Sequence, residues 1–473
     1  LKKRTLIIGA GEAGKMVARE ILDTSLLSNR YHLMGFLDDD PAKKSVFGIS
    51  VLGPLSKANA IIRENSIDLA IIAIPSAPRE VTTALLLDLS GLPVELKIVP
   101  GIFEIIEGDV QWRQLRPVEP EDLLGREEVG FDLEEIAPFY RDKSVLVTGA
   151  GGSIGSEIVK QILKLPVRKL IALGRGENSL HPLIIQYEKD ARFSYCIADV
   201  QDRFKLDFVM RSEKPDVIFH AAAHKHVPIM EEFPEEAVKN NIFGTYNAAK
   251  AALENDVENF ILVSTDKAVN PTSLMGATKK IAEKLILSLN GKGKTRFLCT
   301  RFGNVLGSRG SVIPTFLQQI RKGGPVTITH PDMERYFMSI PEAARLVIKS
   351  PSAREGHIFV LNMGNPVKIT TLAENLIKLT GHSPGEIPIV YTGLRKGEKL
   401  YEELFGNEEP LVPTRFEKLM AATGKEELFS EETLQSLLEE FAEAAREVDR
   451  GRIRELVKKY LPRFQGSEKR VSG

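Results

Sequence analysis

Two stretches of this chain join a short apolar run to a glycine-rich turn and then to an amphipathic helix, and few folds accept that combination. The first is Thr5–Ile8, Gly9-Ala10-Gly11-Glu12-Ala13-Gly14, and a helical pattern through Leu22. The second is Ser144–Val147, Thr148-Gly149-Ala150-Gly151-Gly152-Ser153-Ile154-Gly155-Ser156-Glu157, and a helix to Leu165. A strand buried on both faces reads as a continuous apolar run. Glycines after it let backbone amides approach a pyrophosphate at the positive end of the following helix. The chain is therefore expected to be α/β, with two Rossmann-type domains built on parallel sheets. In the first unit a strand over 33–37 ends at Asp38, placed for a ribose hydroxyl. Gly9, Gly11, Gly14 and Asp38 thus form a candidate second nucleotide site, against the alternative of a scaffold that binds nothing.

Further strands over 69–74 and 94–99 complete this unit, and Pro117, Pro120 and the acidic residues around them mark a change of character. The expected organisation is a Rossmann-like domain over 1–125, a connector over 126–140, the main domain over 141–410 and a charged helical extension over 411–473. The end of that extension, 465–473, is expected to be disordered.

In the main domain, the strand over 169–173 leads to Arg175 and Glu177. Glu177 would take a ribose diol, or Arg175 a 2′-phosphate, so NAD+ and NADP+ both stay open. The next strand delivers Asp199 and Val200 beside an adenine. The one after it delivers His220-Ala221-Ala222-Ala223-His224-Lys225-His226, whose alanines suit backbone packed on a cofactor. No carboxylate or cysteine at ligand spacing joins these histidines, and no metal is expected. Asn240 would support the same backbone.

The apolar run 260–263 then ends in Ser264-Thr265-Asp266-Lys267, with Lys279 four residues after Met275 on one face of a helix over 276–289. Chemistry in open α/β sheets sits beyond the carboxyl ends of strands, so a hydroxyl, a carboxylate and an amine here form an acid–base set. After the strand over 296–302 come Asn304, Arg309, Ser311 and Val312, and later Arg335, Arg395 and Glu398. With His226 they would line a pocket for a phosphorylated ligand, since the arginine fork bonds diphosphate in pairs.

A net charge of -1 gives no bulk attraction to nucleic acid, and two cysteines (Cys196 and Cys299) give no disulfide framework. No apolar run approaches the ~18 residues of a membrane span. The first residue is Leu rather than Met, which suggests that something upstream has been removed.

Seven ordered motifs carry a resemblance: TGAGGSIGSE (148–157), HAAAHKHVPIME (220–231), KNNIFGT (239–245), STDKAVNPTSLMGATKK (264–280), RFGNVLGSRGSVIPTF (301–316), HPDMERYFM (330–338) and LRKGEKLYEEL (394–404). They resemble the capsule and O-antigen type UDP-N-acetylglucosamine 4,6-dehydratases of the extended short-chain dehydrogenase/reductase superfamily. The leading Rossmann unit matches the long members, which carry membrane helices upstream. The resemblance implies a small C-terminal substrate lobe, a tightly bound and recycled NAD+ or NADP+, and UDP-N-acetylglucosamine as substrate. It also implies a homo-oligomer at the cytoplasmic face of a bacterial plasma membrane and no nucleic-acid partner.

By position, cofactor contacts fall to Gly149, Gly152, Ser153, Ile154, Gly155, Arg175, Glu177, Asp199, Val200, Ala221, Ala222, Ala223, Lys225, Asn240, Ser264 and Lys279. Asp266 would assist loss of water, Thr265 would hold the 4-oxygen, and Lys267 would remove the C5 proton, given a lowered pKa. Short members place Tyr at position 275, but the long members share Met275. Asp266 would then also take the 4-hydroxyl proton, and C5 configuration would be retained. The alternatives are a UDP-sugar 4-epimerase and a non-catalytic nucleotide-sugar sensor.

Overall fold

The computed structural model describes residues 2–99, 115–118, 122, 134–383, 385–406, 409–424 and 427–466. Most of the expected connector, and residues 467–473 of the expected disordered end, lie outside them. The chain forms two compact units. One comprises Leu1–Phe131, Gly310–Ile328 and Ile369–Tyr391, and the other Asp132–Arg309, Thr329–Lys368 and Thr392–Gly473.

In the first unit a sheet runs in the spatial order Ser45–Val46, Ile49–Gly53, Tyr31–Leu37, Lys3–Ile8, Leu69–Ile72, Glu95–Ile98, Arg116–Pro117. Its four central pairings are parallel. The helix Glu12–Asp23 turns Val17, Ala18 and Ile21 onto Ile7, Phe36 and Ile71. Two segments from later in the chain belong here too, Val326–Ile328 pairing parallel with Ile389–Tyr391. This division differs from the expected organisation, in which 310–328 and 369–391 were read as part of one continuous main domain. Ser311 and Val312 stand with them, at the start of the helix Val312–Arg321.

The second unit holds a nine-stranded sheet in the order Phe193–Ile197, Lys169–Gly174, Ser144–Thr148, Val217–His220, Asn259–Val263, Arg296–Arg301, Ile358–Leu361, Leu419–Ala422, Leu411–Pro413. The first six run 3-2-1-4-5-6 in chain order, the doubly wound pattern whose ligand crevice opens where the order reverses. Leu411–Pro413 and Leu419–Ala422 extend the sheet by antiparallel pairing. The extension over 411–473 is therefore not wholly helical. Leu419 and Ala421 are short apolar markers inside a charged stretch, and they close an edge that Ile358–Leu361 would otherwise leave unpaired.

The helices that follow, Glu431–Arg446 and Arg450–Tyr460, place Leu434, Leu437, Phe441, Ile453, Leu456 and Val457 in the main core. Ser430 and Asp449 cap them by accepting the amides of Thr433 and Arg452. Among the described residues no helix is long and apolar enough to cross a membrane.

Two buried polar clusters tie the strand ends together. Arg301, fully buried, donates to Glu283 Oε1 and Oε2 at 2.8 and 2.7 Å and to Glu409 Oε2 at 2.7 Å. Burial alone would raise the Glu283 carboxyl, yet the paired guanidinium holds it well below its ordinary value. Arg301 is thus a structural ion. Nearby, His220 bridges Thr148 Oγ1 at 2.8 Å and Thr245 Oγ1 at 3.2 Å. Burial, helped by the charge of Lys279, pushes its pKa down to about 3.

Two predictions follow from these clusters. Arg301→Leu strands the Glu283 charge and should cost about 3–5 kcal/mol in denaturant unfolding; an unchanged midpoint would contradict the assignment. For His220 the folded pKa lies below the ordinary 6.5, so the unfolded chain takes up the proton first as pH falls. Its contribution to stability is complete above about pH 6.5 and drains away towards about pH 3. His220→Gln should flatten that part of the pH–stability curve, and an identical slope would show that His220 does not set it.

Candidate active site

The carboxyl ends of the second unit's parallel strands frame a cleft of about 210 Å³. Gly149, Gly152, Arg175, Asp199, Val200, Ala221, Ala222, Ala223 and Asn240 line it, together with Gly151 and His224. Gly149 has φ +66°, and a Cβ there would lie 2.7 Å from the Ala222 amide nitrogen. A Cβ at Gly155 would lie 2.2 Å from the Gly149 carbonyl oxygen. Only glycine lets the turn, the helix Ser153–Ile162 and the alanine loop approach this closely, so these residues fit a dinucleotide pyrophosphate.

Ser153, Ile154 and Gly155 form the first turn of that helix. Arg175 faces Asp199 at 3.7 Å, while Glu177 opens the helix Glu177–Tyr187 and is not among the lining residues. The alanine loop is held by Asn241, the neighbour of Asn240: it accepts the His224 amide at 2.9 Å and donates to the His224 carbonyl at 3.0 Å. Lys225 reaches Ser308 Oγ at 3.4 Å. Among the described residues no cluster of histidine, cysteine or carboxylate is arranged to hold a metal.

Beyond strand Asn259–Val263 the chain turns sharply, and its residues divide between the interior and the site. Ser264 was expected to contact cofactor, but its hydroxyl donates inward to Glu283 Oε1 at 2.6 Å. Asp266 is fully buried. Its Oδ1 accepts Thr265 Oγ1 at 2.9 Å and Lys267 Nζ at 3.0 Å, while Oδ2 is buried without a hydrogen-bond partner. Lys267 also reaches Asn304 Oδ1 at 3.2 Å and Glu402 Oε1 at 3.5 Å. Burial would lower its pKa, but Asp266 and Glu402 outweigh burial and the opposing Arg335, and the net shift is upward. The expected lowering is thereby corrected: Lys267 rests as an ammonium.

The helix Leu274–Leu287 brings Lys279 to this turn. A Cβ at Gly276 would lie 2.1 Å from the Lys267 carbonyl oxygen, so glycine is what lets helix and turn touch. Ser273 caps the helix, accepting the Gly276 amide at 3.1 Å. Lys279 Nζ donates to the Val263 carbonyl at 2.9 Å, and burial lowers its pKa to about 8. Met275 is buried against Met230 and Ala237. It packs and cannot titrate.

The expected substrate residues scatter more. Arg335 is buried and donates to the carbonyls of Glu334, Lys399 and Leu400, at 2.7, 2.7 and 3.0 Å. It pins the 399–402 segment instead of presenting a free fork. Glu398 accepts the Arg395 amide at 3.1 Å and lies 3.7 Å from Arg335, and the Arg395 side chain is exposed. His226 is exposed at the start of the helix Val227–Glu232, with burial and Lys225 lowering its pKa. Arg309 is exposed and donates its amide to Ser153 Oγ at 3.3 Å. Glu402 was not singled out from the sequence, although its motif was; a single glutamate in a charged run carries no sign of burial.

In the first unit, Gly9 has φ +110° and a Cβ at Gly14 would lie 1.9 Å from the Gly9 carbonyl oxygen. Asp38 accepts the Ala10 amide at 2.8 Å and pairs with Lys43 at 3.0 Å. The carboxylate expected to hold ribose thus braces its own glycine turn.

Comparison with known proteins agrees with this architecture. The family described as "Polysaccharide biosynthesis protein" matches residues 145–424, and the PglD N-terminal domain family matches 4–78. The probable polysaccharide biosynthesis protein EpsC of Bacillus subtilis is 48% identical over 88% of this chain and 70% of its own length. A UDP-N-acetylglucosamine 4,6-dehydratase (inverting) of Campylobacter jejuni is 35% identical over 62% of this chain and 86% of its own. A UDP-glucose 4-epimerase of Rickettsia akari is 36% identical over 57% and 80%. The X-ray structure of Pen from Bacillus thuringiensis superimposes with a TM-score of 0.56 at 34% identity, covering 63% of this chain and 98% of that one. With more than half its length matched, this chain belongs to the polysaccharide biosynthesis protein family, on an extended short-chain dehydrogenase/reductase fold.

Proposed function

We propose that the chain is a UDP-N-acetylglucosamine 4,6-dehydratase, releasing a UDP-4-keto-6-deoxy-hexosamine. The observation that carries this reading is Asp266: a fully buried carboxylate with one oxygen unbonded, beside a lysine at the end of a central strand. A C5 proton is barely acidic until C4 is a ketone, so the chemistry needs an acid, a base and a holder of the 4-oxygen. A nicotinamide dinucleotide held along Gly149, Gly152 and the alanine loop would supply the hydride acceptor at C4 and return that hydride at C6.

The chain's own residues do the proton work. Thr265 Oγ1 holds the 4-oxygen. Asp266 takes the 4-hydroxyl proton and later gives a proton to the departing 6-hydroxyl. Lys267 removes the C5 proton, and Lys279 orients the nicotinamide ribose and adds positive charge. Met275 leaves no tyrosine for the 4-hydroxyl, which supports the double use of Asp266 and retention at C5.

A 4-epimerase is the second reading, favoured by epimerase relatives of similar identity. Hydride transfer at C4 alone gives Lys267 no task, whereas dehydration does. Asp266→Asn should lower 4-keto product formation by about 10²-fold or more while UDP-sugar affinity persists. Full turnover by this variant, read by mass spectrometry of the product, would contradict the assignment.

A further inference from the structure

Lys267 rests protonated, and an ammonium cannot abstract a proton. We propose that Glu402 is the proton acceptor standing behind Lys267, taking the lysine's proton as the amine takes the proton from C5; this rests on the dehydratase reading. Among the described residues three groups touch Lys267 Nζ: Asp266 Oδ1 at 3.0 Å, Asn304 Oδ1 at 3.2 Å and Glu402 Oε1 at 3.5 Å. The Asn304 amide oxygen is too weakly basic to keep a proton. Asp266 is committed to the 4-hydroxyl proton and must still hold it when water leaves. Glu402 is the acceptor that remains.

Its surroundings suit the task. The Glu402 side chain is 3% exposed, and its Oε2 is buried with no hydrogen-bond partner. Arg335 Nε lies 3.9 Å from Glu402 Oε1, and the bonds from the Arg335 guanidinium to the Lys399 and Leu400 carbonyls fix the segment presenting it. Among the described residues the charged groups facing Lys267 are Asp266, Glu402 and Arg335, while the pKa of Lys225 is lowered first by burial and then by the charge of Lys267. Glu398 pairs with Arg335 at 3.7 Å.

The step balances within the site. As the C5–H bond breaks, its proton forms a new N–H bond on Lys267, whose former proton now sits on Glu402. The electron pair left on C5 delocalises into the C4 ketone and then expels the 6-hydroxyl, which leaves as water with the Asp266 proton. When C5 is reprotonated, Lys267 gives up a proton and recovers one from Glu402. Glu402 touches no reacting atom: it acts through Lys267 and is a positioning residue.

The test is single turnover of UDP-N-acetylglucosamine in deuterated water, with wild type, Glu402→Gln and Glu402→Asp. Nicotinamide reduction is read by absorbance, and deuterium at C5 by NMR. Glu402→Gln should slow C5 exchange by about 10²-fold at neutral pH while nicotinamide reduction stays close to wild type. Glu402→Asp should restore part of the exchange, and the Gln deficit should narrow at high pH as Lys267 loses its proton to solvent. Equal slowing of both steps, or exchange as fast as wild type, overturns the proposal. A wild type that forms no 4-keto product overturns the dehydratase reading itself.

Discussion

The ion pair between Arg301 and Glu283 is the interaction on which the site's geometry depends. It joins the end of strand Arg296–Arg301 to the helix that carries Lys279, and through Glu283 it takes the hydroxyl of Ser264. Through Arg301 it holds Glu409, which accepts the Gly406 amide. An unpaired charge here would be costly, so each partner requires the others in place. The turn carrying Thr265, Asp266 and Lys267 starts from this anchored point. The interior therefore decides where the reactive carboxylate sits.

Around that turn, the neighbours of each group set how tightly it holds its proton. Asp266 and Glu402 both lean on Lys267, and their sum keeps it an ammonium despite burial. Lys279 donates to the Val263 carbonyl, and burial brings it down to about 8. Two lysines twelve positions apart in sequence thus hold their protons differently, because carboxylates outweigh burial at Lys267, whereas burial outweighs the charge of Glu283 at Lys279. The missing tyrosine at 275 fits the same pattern. A methionine packed on Met230 and Ala237 leaves proton chemistry to the carboxylates.

Much of this was legible in the sequence, for definite reasons. Glycine turns after apolar runs located both sheets, because Gly149 and Gly155 stand where a Cβ would strike backbone. The cluster at 264–267 marked the turn beyond a central strand, because a polar run after a buried strand has nowhere else to go. What escaped notice depends on contacts distant in sequence. Ser264 and Arg301 bond to Glu283, and Arg301 to Glu409 as well, partners that cannot be read from either position. Lys267 was expected to be a depressed base, and Asp266 together with Glu402, 135 positions away, reverses the sign. The strands over 411–422 were hidden in charged sequence, and assignment of 310–328 and 369–391 to the first unit has no local signature.

We propose that a buried acid and an adjacent lysine remove water across C5–C6 of a nucleotide-linked hexosamine. Incubation of the protein, with cofactor occupancy confirmed, with UDP-N-acetylglucosamine in deuterated water tests this most directly. The account predicts a product lighter by one water, apart from the label, with deuterium at C5 in the starting configuration. Conversion to the galacto isomer without loss of water, or substrate bound and unchanged, would contradict it.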